Sequence, residues 1–174
     1  SLGVHAASPN DDIEAALREV LARLAPDDDD MYGYLAYALG LRLTDEAAAS
    51  IRLISGDLLE ERIVAAVLRL LRRSAEAGPV ALVIDDLHWA DPSSVNVLQG
   101  VVTLLDDVPL LLVLGTRDEP DSPGWDLVRT ARDRLGAALL EIRLAPLDRD
   151  GSSALVGNLL EIESLPTGTR ELIL

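Results

Sequence analysis

At 174 residues and 18.6 kDa the chain has the length of one domain, and its 49 % apolar content with mean hydropathy +0.22 supports a packed core rather than disorder. A net charge of −15 and a pI of about 4.3 argue against a surface that grips a phosphate backbone, so direct nucleic-acid binding by this segment is not expected. No apolar run reaches the ~18 residues of a membrane span, residues 1–10 lack the layout of a signal peptide, and the absence of cysteine excludes disulfides and thiolate chemistry and suits a reducing, cytoplasmic setting.

The first half reads as helical. Asn10 or Asp11 can cap a helix, Asp11 and Glu14 have capping-box spacing, and Ile13, Leu17, Val20, Leu21 and Leu24 share one face. Pro26 and the run Asp27–Asp30 end that helix. Four aspartates suggest a calcium loop, but the alternating ligands, central glycine and closing glutamate of one are absent, so the run reads as a solvated linker and N-cap. Met31 to Leu39 is apolar and tyrosine-rich, with Gly40 as its C-cap. A short helix follows over Thr44 to Ile54. A long amphipathic one runs from Asp57 to Ala77, with Arg69, Arg72 and Arg73 near the end that suits positive charge.

After Gly78-Pro79 the pattern changes. Val80 to Ile84 and Pro109 to Leu114 are continuous apolar runs, the pattern of strands buried on both faces. Between them, Asp91-Pro92 opens a helix that reaches Leu105. A helix from Trp125 to Leu135 leads to a third strand over Ala138 to Leu144. Further helices are expected over Asp148 to Leu160 and Thr167 to Leu174. Strand–helix–strand–helix–strand predicts an α/β fold with a parallel sheet of about three strands, preceded by a helical segment.

Ligands of such sheets bind beyond the carboxyl ends of the strands. Asp85, Asp86 and His88 stand there after the first strand, and Thr116, Arg117 and Asp118 after the second. An apolar strand ending in two carboxylates is the form of a Walker B element. There the first acid, Asp85, holds Mg²⁺ and the second, Asp86, orients or deprotonates an attacking water. Arg117 can neutralise charge on a terminal phosphate, with Thr116 as its polar partner. The plainer readings are a strand-end cap for the aspartates and a surface ion pair to Asp118 or Glu119 for Arg117. His88 reads as a turn residue hydrogen-bonded to its loop, Trp89 as a packing anchor beneath it, and Trp125 as a staple at a helix start.

The strings PVALVIDDLHWADPSS and LLLVLGTRDEP resemble the nucleotide-binding domain of STAND-type P-loop ATPases, in the wider AAA+-like group. The resemblance is to the ATPase segments of LuxR-type transcriptional regulators and of multidomain adenylate/guanylate cyclases, and it covers Val80 to Leu160. It implies a P-loop NTPase-type sheet, with Asp85 and Asp86 in Walker B, Thr116 and Arg117 in the sensor 1 element, and Leu144-Ala145-Pro146-Leu147 opening a helical part. The corresponding division is a helical segment over 1–78, an α/β core over 79–147 and the start of a C-terminal helical part over 148–174.

One departure bears on function. All fifteen basic residues are arginine, and no G-x-x-x-x-G-K-[ST] phosphate loop occurs. The expectation is therefore a fragment of a signalling ATPase that binds ATP and Mg²⁺ in the full-length protein and switches a fused output domain or protein partner. The alternative is a non-catalytic, pseudo-ATPase regulatory or interaction module. The incomplete sheet also predicts an open edge and possible self-association.

Overall fold

In the computed structural model, which describes residues 10–160, helix α1 covers Asn10–Leu24 and already includes both Asp11 and Asp12 in its first turn. Glu14 does not close a capping box. Its carboxylate accepts from Arg18 Nε and Nη2 at 3.2 and 3.0 Å, one turn further on. Helix α2 spans Asp29–Ala38, and the Asp28 carboxylate accepts the Met31 N–H, so the aspartate run supplies an N-cap as its composition suggested. Gly40 sits just past this helix at φ +66°, a left-handed conformation that glycine adopts without strain. Thr44 caps α3 (Asp45–Arg52), and α4 runs over Gly56–Ala77.

Leu17 and Leu21 from the first helix, Ala25 just after it, Met31, Leu35 and Ala36 from the second, Leu41, and Ala66 of α4 form one buried cluster. Apolar stripes at helical spacing meet there, which is what folds the first half. The late arginines of α4 reach outward instead of only facing the helix end. Arg69 pairs with Asp28 at 3.4 Å, and Arg72 with Asp107 at 2.6 Å.

Strands β1 (Val80–Ile84) and β2 (Leu110–Leu114) pair in parallel, with Val80 opposite Leu110 and Ile84 opposite Leu114. Helix α5 (Pro92–Leu104) connects them, capped by Asp91 with proline in its first turn. Helix α6 (Pro123–Leu135) follows. Ile84, Leu112 and Leu114 pack on Leu87, Val95, Leu98, Val102 and Leu127, while Val80 and Leu110 pack on Ala75, Leu104 and Val108.

Two expectations need correction. Among the described residues the strands are covered on one face only. Their alternate residues Ala81, Val83, Leu111 and Val113 are exposed, Val83 to 65 %. The third strand is absent from the described residues: the sheet has two strands, and only a 3-10 turn over Gly136–Ala138 and irregular chain precede α7 (Arg149–Leu160). The segment has a period-2 stripe, Leu140, Ile142 and Leu144, but no strand pairs with it, and Leu144 is 90 % exposed. A strand without a partner leaves its N–H and C=O groups to water, so patterning alone does not make it one. Contacts divide the chain after Gly136, and residues 137–160 belong to the second unit. The helix expected over Thr167 to Leu174 lies outside the described residues. Among the described residues no helix is long and apolar enough to cross a membrane.

Candidate functional site

Parallel pairing in register brings the ends of β1 and β2 out together. Asp85 and Asp86 leave one strand, and Thr116 and Arg117 leave the other, at the same carboxyl end. Backbone hydrogen bonds continue past the ladder. Gly115 N–H donates to Ile84 O at 2.8 Å, and Leu87 N–H donates to Gly115 O at 2.9 Å. The acidic turn is thus fastened to the tip of β2.

Asp85 turns its carboxylate back onto this junction. Oδ1 accepts the Asp86 N–H at 2.9 Å. The same oxygen lies 2.4 Å from where a Cβ on Gly115 would stand, so a larger residue just past β2 would push the Asp85 carboxylate off this position. Asp86 has φ 54° and ψ 38°, the only positive-φ residue other than glycine among those described. Aspartate tolerates this left-handed geometry better than most residues, and such conformations concentrate at functional turns. With that reversal the chain enters the 3-10 turn Leu87–Trp89, closed by Trp89 N–H on Asp86 O and Ala90 N–H on Leu87 O.

Leu87 plunges into the core beneath the turn, and α6 presses on it from outside. A Cβ on Gly124 would fall 2.2 Å from the Leu87 carbonyl oxygen, so this glycine permits the approach of the helix N-terminus. Nothing in the local pattern around Gly124 marked it; only the fold brings α6 against the acidic turn.

His88 and Trp89 differ from their sequence readings. The His88 side chain is buried, 2 % exposed, yet among the described residues neither ring nitrogen has a hydrogen-bond partner, so it is not bonded to its loop. Its Nε2 lies 3.8 Å from Asp86 Oδ1. Trp89 is not a buried anchor: it is 73 % exposed, its ring 4.9 Å from that of His88 and tilted by 47°. Trp125 is half-buried at the start of α6, with the Arg132 guanidinium 5.5 Å from its ring centre.

Thr116 and Arg117 are exposed, and the Thr116 hydroxyl donates to the Arg117 carbonyl at 3.2 Å. Asp91 is the cap of α5. Its carboxylate accepts the Ser94 N–H at 3.0 Å and the Ser94 hydroxyl at 2.7 Å, and these bonds hold its pKa below the usual carboxylate value. Among the described residues no group of three or more histidine or acidic side chains is arranged to hold a metal ion by itself. A cation here would need oxygens from water or a bound phosphate beside the aspartates.

An uncharacterized protein of Rhizobium meliloti (strain 1021) is 30 % identical over 122 residues, which is 70 % of this chain and 10 % of that protein. The chain therefore spans about a tenth of the curated relative that it matches. No solved structure matches. The AAA ATPase domain model matches residues 4–113, from the helical half through β1 and into β2, and the chain belongs to that family.

Proposed function

We propose that this chain supplies the Walker B and sensor 1 part of a STAND-type signalling ATPase domain, which binds ATP with Mg²⁺ in the full-length protein and switches a fused output domain or partner. Its setting would be cytoplasmic. The observation that carries the reading is the shared exit of Asp85–Asp86 and Thr116–Arg117 from adjacent parallel strands. Family membership adds that related domains generally use ATP and Mg²⁺.

The residues meet half of that requirement. Two exposed carboxylates at a strand end suit a hydrated Mg²⁺. In this reading Asp85 is the metal-side acid, Asp86 the acid facing water, and Arg117 with Thr116 the groups that meet a terminal phosphate. The other half is not among these residues. The chain contains no lysine and no glycine-spaced phosphate loop, so nothing in it cradles a triphosphate. A second reading, a non-catalytic regulatory or interaction module, is equally compatible with that shortfall.

The test is made on the full-length protein. Asp86→Asn should lower the ATP hydrolysis rate far more than nucleotide affinity, and Asp85→Ala should remove the Mg²⁺-dependent part of binding. Equal hydrolysis by wild type and Asp86→Asn would overturn the assignment. Absence of turnover in the wild type would leave the non-catalytic module.

A further inference from the structure

Both His88 ring nitrogens are buried, and among the described residues neither has a hydrogen-bond partner; a buried polar atom left so is costly. The residue is not needed as a filler. An apolar side chain would occupy the same space between Leu87 and Trp89 without that cost. Asp86 Oδ1 lies 3.8 Å from Nε2, roughly 1 Å beyond a good hydrogen bond. Asp86 is held in a left-handed backbone conformation, and its side chain is half-exposed. Two unusual features, an orphaned ring and a strained aspartate, therefore meet two residues apart.

We infer that His88 is a positioning residue for Asp86: the buried ring donates Nε2–H to Asp86 Oδ1 once the turn tightens, and fixes the direction of that carboxylate. This rests on the proposed role of Asp86 at the site. The ring is rigid and shielded, so it can lock a rotamer that exposed Asp86 would otherwise leave free. Donation from Nε2 needs the Nε2–H tautomer. The second oxygen of Asp86 stays available to a water or a ligand. The Trp89 ring lies beside that of His88, tilted by 47°. No proton transfer and no change of charge is involved.

The pairing can be tested apart from ATP turnover. Ring ¹⁵N spectra of this chain at pH 8 should show the Nε2–H tautomer for His88. Asp86→Ala should shift the Nε2 resonance. Asp85→Asn, which keeps an oxygen to accept the Asp86 N–H, should leave it in place. An Nδ1–H tautomer, or a resonance indifferent to Asp86→Ala, would overturn the inference whatever the activity. In the full-length protein, His88→Phe fills the space without a donor, and His88→Gln restores one. The first should lower kcat about tenfold with KM little changed, and the second should recover most of it. A folded His88→Phe protein with wild-type kcat would refute the positioning role. If the wild type does not turn over ATP, the proposed activity fails and the spectra still decide the pairing.

Discussion

The Asp85 carboxylate and Gly115 share one small space: Oδ1 lies 2.4 Å from the position a Cβ on Gly115 would take. Gly115→Ala must therefore turn the Asp85 side chain away and free the Asp86 N–H it holds. The displaced atom is the end of a short side chain, so the fold survives, at a cost of about 1 kcal/mol for the lost hydrogen bond. Chemical denaturation should show that loss. The larger effect should be on Mg²⁺-dependent nucleotide binding by the full-length protein, which Gly115→Ala should weaken nearly as much as Asp85→Ala.

Gly124→Ala should be worse for stability, although Gly124 lies outside the acidic motif. Here the added methyl meets backbone: the Leu87 carbonyl oxygen at 2.2 Å and its carbon at 2.9 Å. Either the start of α6 or the turn above Leu87 must move, and such overpacking costs roughly 1–3 kcal/mol. Thermal melting should place Gly124→Ala below Gly115→Ala. Equal stability of the two would show that the turn yields easily.

Much of this was legible in the sequence. Caps and stripes announced the helices: Asp91, and Asp28 in the run Asp27–Asp30, each accept a first-turn N–H as read, while Thr44, read as part of its helix, caps it instead. The strands were legible from their apolar runs, and the candidate residues from their place after those runs. Three things were not. The 138–144 stripe has strand periodicity, but a strand exists only where another edge accepts it. Apolar residues on both faces of β1 and β2 do not say whether both faces are covered, and among the described residues only one is. The left-handed Asp86 and the unbonded His88 arise from how the turn is tied to Gly115, a tertiary fact with no local signal beyond the tolerance of aspartate for that conformation.

Acid should loosen the start of α5. The Ser94 N–H and hydroxyl both bind the ionised Asp91 carboxylate and lower its pKa in the folded chain. A group whose folded pKa is depressed adds stability above its unfolded value, and that stability is lost as pH falls through the folded value. The change belongs below the ordinary carboxylate range, not near neutrality. Amide exchange at Ser94, corrected for its intrinsic pH dependence, should show protection falling in that acid window. Asp91→Asn, which caps without titrating, should show no such step.

Calorimetry on this chain alone should find ATP–Mg²⁺ binding weak or absent. A tight site needs backbone N–H groups and a lysine around the β- and γ-phosphates, and the chain has no lysine. Carboxylates and one arginine at the strand ends do not replace that cradle, and a net charge of −15 repels the nucleotide. A Kd of ~10 μM or tighter would refute this.

The exposed face of the sheet predicts association. Val83, Leu111 and Val113 lie on one side of two adjacent strands, with Val83 65 % and Leu111 61 % exposed. Contiguous apolar surface of this kind favours contact with another apolar surface. In a two-stranded sheet each strand also has an unpaired edge, a template for further pairing. The strong negative charge opposes association at long range, but salt screens it within about 8–10 Å while leaving apolar contact intact. Light scattering should therefore show self-association that grows with protein concentration and with added salt. Replacing Val83 and Val113 together by threonine keeps β-branched residues in the strands while adding hydroxyls to the exposed face. That variant should retain the helical signal and associate less. A wild-type chain that stays strictly monomeric and melts cooperatively at high concentration and high salt would show that the face is covered within the chain itself.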